Sequence, residues 1–317
     1  MTLEVGASGA QVGVWLAPLV AFVISTVTSM GGVSGAFLLL PFQVSVLGIT
    51  SPSVSATNHL FNVVAIPAGV LRYVREGRML WPLTAAVVVG TLPGVLVGAV
   101  VRIVYLPDPT AFRTFAGLVL AWIGGRLLLD LVRPTAGTER AKAAEDRFRS
   151  STTRRPDVAT APDVTPVRTL AWTARRLVFE FGGEVFEVSM VAVAALSLTV
   201  GVVGGIYGIG GGAIIAPFFV TVLGLPVYVV AGAALAGTLC TSLAGVAFFQ
   251  LLAPYFPQHA VAPDWTLGLL FGIGGAAGMY CGARLQRHVP AAVIKWTLVA
   301  VILFVAVRYL ADVPRLL

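Results

Sequence analysis

Two glycine runs lie inside otherwise apolar sequence: Gly208-Ile209-Gly210-Gly211-Gly212, and a more divergent Gly31-Gly32-Val33-Ser34-Gly35. Glycine interrupts a helix and releases backbone N–H groups from their intrahelical carbonyls. In hydrocarbon an unpaired N–H is costly, so irregular backbone persists there only where protein or a polar cavity satisfies it. A helix that restarts at such a break aims free N–H groups and the positive end of its dipole outward, which is a cradle for an anion. Gly31, Gly32, Ser34, Gly35, Gly208, Gly210, Gly211 and Gly212 are therefore candidates for oxyanion contact, with Ser34 adding a hydroxyl donor that Gly210 lacks. The competing use of the same glycines is close helix packing.

A second set of polar residues opens the segment Ser53, Ser55, Thr57, Asn58, His59, Asn62, too polar to face lipid. Ser55, Asn58, His59 and Asn62 share one helical face by their spacing of three and four. In the second half Thr238, Thr241 and Ser242 again share a face. Neutral donors converging near glycine breaks suit a strongly hydrated oxyanion, because they replace lost water without burying an unpaired charge. Hydrogen bonding between helices is the alternative for each of them. His59 either senses protons or is a satisfied interior histidine.

The elements that must hold these groups follow from composition. Of 317 residues 57% are hydrophobic and 11% charged, which places the chain in a bilayer. Alternating strands are not evident, so an all-α integral membrane fold is expected. An offset of 176 lays Gly32 on Gly208, Gly35 on Gly211, Pro41 on Pro217, Val46-Leu47-Gly48 on Val222-Leu223-Gly224 and Asn62 on Thr238; His59 meets Leu235. At 184, Trp81 meets Trp265, and Gly90, Gly94 and Gly98 meet Gly274, Gly278 and Gly282. Each half divides into five apolar segments: 12–30, 35–49, 53–74, 79–105 and 110–132, then 186–207, 211–225, 227–252, 264–283 and 291–311. The second of each set, about 15 residues and roughly 22 Å, is too short to cross and is expected to be a half-helix.

Positive charge orients the halves. Arg72, Arg75 and Arg78 follow the third segment of half one, whereas the matching loop 254–264 has no Lys or Arg; Arg284, Arg287 and Lys295 mark a later loop of half two. Ten further Lys and Arg residues fall between Arg133 and Arg176, while Arg102, Arg113, Arg308 and Arg315 lie on the other side. This predicts both termini outside, those positive loops cytoplasmic, and two inverted repeats in a cell inner membrane. The domains are then 1–132, a cytoplasmic linker 133–185, and 186–317. Within the linker, apolar residues from Val167 to Phe181 at helical spacing suggest an amphipathic helix on the leaflet, or else a solvated loop. Leaflet lipid accounts for the basic linker without nucleic acid. The N-terminus lacks a positive n-region, so the first helix is expected to remain.

Other chemistry finds little support. No nucleophile with a base, no metal-ligand cluster and no phosphate loop is evident, so neither enzyme, metal centre nor cofactor is expected. Cys240 and Cys281 read as small hydrophobes. Asp130 follows Arg126 by four residues and reads as its ion-pair partner or a proton relay. The rows Gly90-x-x-x-Gly94-x-x-x-Gly98 and Gly278-x-x-x-Gly282 either pack within one chain or join a homodimer.

A glycine break, then an apolar run with Pro, then Val-Leu-Gly, occurring twice around a hydrophilic middle, resembles the TauE/SafE sulfite-exporter family. Gly208 to Pro217 fits the family pattern best, and Gly31 to Pro41 is a divergent copy carrying Ser34. The resemblance spans both membrane halves and implies an inner-membrane carrier for sulfite, organosulfonates or related sulfur anions. Export by alternating access is the expected mode. A passive anion channel, a partner subunit without transport of its own, and a cation carrier are the rivals.

Overall fold

The computed structural model describes residues 2–4, 11–30, 34–75, 77, 79–133, 143–144, 167–285 and 291–312. Its first half contains α1 (Leu16–Met30), α2 (Ala36–Ser45), α3 (Ser53–Ala65), α4 (Pro67–Arg75), α5 (Trp81–Val104) and α6 (Pro109–Val132). The second contains α7 (Met190–Tyr207), α8 (Gly211–Thr221), α9 (Val227–Leu252), α10 (Trp265–Leu285) and α11 (Ala291–Asp312). Among the described residues five stretches are long and apolar enough to cross a membrane: Ser53–Arg75, Trp81–Val104, Pro109–Leu129, Met190–Tyr207 and Val227–Tyr255. The chain is a multi-pass membrane protein, mostly helical. Pro67 divides the expected third segment into α3 and α4, since proline cannot donate to the preceding turn.

The two short helices are as brief as the sequence suggests. At 10 and 11 residues, α2 and α8 are roughly 15–17 Å long, about half a hydrocarbon core. They also end alike. Val46 N–H reaches the Phe42 carbonyl at 2.9 Å and Ile49 N–H that of Gln43 at 3.0 Å. One repeat later Val222 N–H reaches Phe218 at 2.8 Å and Leu225 N–H reaches Phe219 at 3.0 Å. The Val-Leu-Gly signature is thus a helix stop written twice.

The halves interlock through their long helices. α5 lies along α7, α1 along α10, and α6 along α11, while α9 packs on both α3 and α5. Small residues make the first two contacts close enough to put backbone on backbone. A carbon added to Gly94 would lie 2.8 Å from the Val202 amide nitrogen, and one on Gly98 the same distance from that of Ile206. Gly274 and Gly278 likewise face the Pro18 and Phe22 backbones of α1. These glycine rows are used inside the chain. Gly98→Ala is therefore expected to cost about 1–3 kcal/mol of overpacking. Gly125→Ala, with nothing within 4 Å, is the neutral control, and thermal melting in detergent compares them.

The linker corrects one expectation. Instead of an amphipathic helix, residues 167–189 form a three-stranded antiparallel sheet. A separate small pair, β1 (Thr2–Glu4) with β2 (Gln11–Gly13), precedes α1. The linker strands are β3 (Val167–Trp172), β4 (Arg176–Phe181) and β5 (Glu184–Ser189), so the fold is not purely α. Leu177, Phe179 and Phe181 alternate inward along β4, a period of two that the helical reading of the same residues overlooked. The two-residue Gly182-Gly183 turn, φ 59° and 78°, closes the hairpin with Phe181 paired to Glu184. A two-residue turn with both residues left-handed matches the strand twist, and glycine adopts it freely. Phe179 stacks on Phe186 at 5.5 Å, and Phe181 on Tyr228 at the start of α9.

Arg102 corrects another detail. Grouped by sequence with the charges of the other side, it is not a free surface charge but fully buried: its guanidinium donates to the carbonyls of Leu106 and Thr50 and sits 3.8 Å over the Phe112 ring. It ties the α2–α3 turn to the α5–α6 corner. The side chain of Asp130, expected to pair with Arg126, lies outside the described residues.

Candidate functional site

Helix α7 ends at Tyr207, and the chain turns through Gly208, Ile209 and Gly210 before restarting as α8. Gly208, at φ 79° and ψ 21°, closes α7: its N–H and that of Ile209 both reach the Gly204 carbonyl, at 2.9 and 3.0 Å. Gly210, at φ 75° and ψ 146°, is in a region that side-chain-bearing residues avoid. It precedes α8 with no side chain to cap it, so the first N–H groups of α8 have no intrahelical acceptor. In the first half Gly35 stands before α2, also without a side-chain cap of its own, at an ordinary φ of −59°. Gly31 and Gly32 lie outside the described residues.

One carboxamide joins the two breaks. Ser34 Oγ donates to Asn62 Oδ1 at 2.6 Å, and Asn62 Nδ2 donates to the Ile209 carbonyl at 3.0 Å and to Ser242 Oγ at 3.3 Å. Ser242 Oγ is also 3.3 Å from His59 Nδ1, whereas His59 Nε2 has no partner among the described residues. Every side chain in this chain of contacts is buried, at no more than 1% exposure. Asn58 Nδ2 donates to the Ala36 carbonyl at 2.9 Å, while its Oδ1 accepts from Gln43 at 3.4 Å.

Thr238, Thr241 and Ser242 do converge on the second break. A carbon added to Gly210 would meet Thr241 Oγ1 and Ser242 Oγ at 3.0 Å and Thr238 Cγ2 at 3.1 Å. The two threonines, however, spend their protons on their own helix, Thr238 on the Ala234 carbonyl at 2.8 Å and Thr241 on that of Gly237 at 2.6 Å. Gly212 packs against the Ala234 and Thr238 backbone of α9, Gly211 against Thr91 of α5 and Gly201 of α7, and Gly208 against the Ser55 backbone. Of the run, Gly210 faces the polar cluster, while Gly208, Gly211 and Gly212 serve close approach. Ser55 bonds the Ile206 carbonyl at 3.0 Å and so pins α3 to the end of α7.

A family model described as Sulfite exporter TauE/SafE matches residues 16–309, a span that contains both breaks and the whole polar cluster. The chain belongs to this family. No curated protein and no solved structure matches it. Members of the TauE/SafE family are membrane transporters that export sulfite and related anions, and at that level this TauE/SafE protein is a membrane transporter. Gln43 and Ser25 were missed in the sequence, though both are fully buried and each has a side-chain oxygen without a partner among the described residues. For Gln43 a signal existed: it is the one amide in Ala36–Ser45, a helix otherwise of apolar residues and a terminal serine.

Proposed function

We propose that this TauE/SafE protein is a secondary carrier that exports a sulfur oxyanion, sulfite or an organosulfonate, across the inner membrane by alternating access. The anion sits between the two helix starts, held by Gly31, Gly32, Ser34 and Gly35 on one side and on the other by the N–H groups of Gly210, Gly211 and Gly212, the last two packing their α-carbons on neighbouring helices, with Gly208 closing α7 beside them. Asn58, His59, Asn62, Thr238, Thr241 and Ser242 complete the lining. The observation that carries this reading is the Asn62 carboxamide, which bonds Ser34 beside the first start and Ile209 beside the second.

The proposed inverted symmetry has support in the packing. The contact of α5 with α7 is matched by that of α10 with α1, α9 with α5 by α3 with α10, and α6 meets its own counterpart α11. Opposite orientation has support in the loops. Ser45, at the end of α2, bonds Tyr309 near the end of α11, while α8 leads through Pro226 to Tyr228 beside the β-sheet. Two helices that start together and end apart aim both positive ends at one place. Rocking of the halves about that place would expose it to each side in turn.

Purified protein in liposomes, tested with labelled sulfite, sulfoacetate, taurine and sulfate with and without a proton gradient, is expected to move sulfite or a sulfonate in preference to sulfate. No movement of any of the four would leave the partner-subunit reading. Currents far above carrier turnover would replace the carrier with a channel.

A further inference from the structure

Helix α1 carries hydroxyls at Ser25, Thr26, Thr28 and Ser29, and three of them do what helical hydroxyls ordinarily do. Thr26 donates to the Phe22 carbonyl at 2.7 Å, Thr28 to that of Ile24 at 2.9 Å, and Ser29 to that of Thr26 at 3.3 Å. Ser25 is fully buried and its Oγ has no hydrogen-bond partner among the described residues. A buried hydroxyl left unbonded is costly, and a carbonyl one turn back was available to it. The Ser25 oxygen is instead directed at the start of α2. It is the atom nearest to the place a side chain on Gly35 would take, ahead of the Phe61 ring at 3.1 Å. Gly35 is the residue from which the ten residues of α2 begin, and the Ala36 N–H just after it is met by Ser34 Oγ at 3.3 Å, so Ser25 Oγ is the unbonded polar atom at this start.

Among the described residues the second half has nothing comparable at its helix start. At the repeat offset of 176, Gly201 stands in place of Ser25. The neighbouring hydroxyl there, Thr91, turns its methyl group toward Gly211 and gives its proton to the Val87 carbonyl at 2.6 Å. Ser197 also has an unpartnered hydroxyl, but it faces Gly90 in the seam between α5 and α7, away from either helix start. Among the described residues Ser51 Oγ is also buried and unbonded, just before α3, but Ser25 is the wholly buried one placed at the start of a half-helix.

We infer that the Ser25 hydroxyl is a further ligand of the transported oxyanion, donating to it at the start of α2 beside Ser34. This rests on the carrier reading above. Since the Ser34 proton is already on Asn62 Oδ1, the first half thereby offers one free hydroxyl donor, Ser25, and the second offers backbone, so the anion is held asymmetrically.

The test is sulfite binding by calorimetry and thermal melting, on purified wild type, Ser25→Ala, Ser25→Cys and Ser34→Ala. Ser25→Ala is expected to weaken sulfite binding about tenfold or more, the size of one hydrogen bond to a charged group. Its melting temperature should be unchanged or raised, because alanine deprives no protein group of a partner. Ser25→Cys keeps the size with a weaker donor and should bind between the two. Unchanged affinity in Ser25→Ala overturns the inference. So does weaker binding accompanied by a lower melting temperature, which marks a packing role. If Ser25→Ala does not fold, wild-type affinity in Ser25→Cys overturns it, and reduced affinity with intact melting supports it. Wild type that binds no sulfite defeats the carrier reading and this inference together. Wild type and Ser25→Ala binding alike, with Ser34→Ala weakened, defeats the Ser25 assignment alone.

Discussion

Asn62→Ala is expected to abolish sulfite movement in liposomes and to lower unfolding stability by about 2–5 kcal/mol. The side chain is wholly buried and every polar atom in it is used: the oxygen accepts from Ser34, and the nitrogen donates to Ile209 and to Ser242. Alanine strands the Ser34 hydroxyl and the Ile209 carbonyl, and each buried group left unmet costs about 1–3 kcal/mol. The functional loss should exceed what that instability explains. Ser34 stands just before α2 and Ile209 just before α8, so removing the carboxamide unties the two starts from each other as well as from α3. Ser242→Ala removes one of the three bonds and leaves the link between the breaks intact. It should cost about 1 kcal/mol and retain part of the uptake. Thermal melting and initial rates measured on the same preparations separate the effects. Full-rate uptake by well-folded Asn62→Ala would remove this residue from the site.

Why the polar cluster could be read in sequence while its wiring could not is a matter of range. Ser55, Asn58, His59 and Asn62 announce themselves because a lipid-facing helix cannot afford them, and their spacing alone puts them on one side of α3. Which atom bonds which depends on contacts across 28, 147 and 180 residues of chain, from Asn62 to Ser34, Ile209 and Ser242. No local pattern encodes those. The threonines of α9 show the opposite error. Their residue type promises a donor, but a helical threonine has a carbonyl one turn back always within reach, and Thr238 and Thr241 took it. Ser25 was passed over because a single serine in an apolar helix carries no sign of whether its proton is spent. The linker sheet was legible in principle: β-branched and aromatic residues on both sides of Gly182-Gly183 are a hairpin signal. Leu177 and Phe181, four apart, share a face at period 3.6 and at period 2 alike over so short a run, and the glycine pair was the arbiter.

Gly210→Ala should stop uptake and destabilise the fold by about 2–4 kcal/mol, for a reason distinct from the loss of an anion contact. At φ 75° and ψ 146° the dihedral alone costs a residue with a side chain about 1–3 kcal/mol. The added methyl would in addition stand 3.0 Å from Thr241 Oγ1 and Ser242 Oγ. The two costs can be told apart. Pairing Gly210→Ala with Thr241→Ala and Ser242→Ala clears both oxygens and leaves the dihedral as it was, so against the same background with Gly210 kept the melting temperature should recover little. A full recovery would mean that crowding is the whole cost and that the backbone there tolerates a side chain. The distinction bears on how the site is made. If the dihedral dominates, the third residue of the run is glycine because the turn must swing α8 around to present its amide end beside Ser242 and Asn62. The anion then meets a backbone already bent into place, which is the preorganisation an uncharged site requires to bind a strongly hydrated guest.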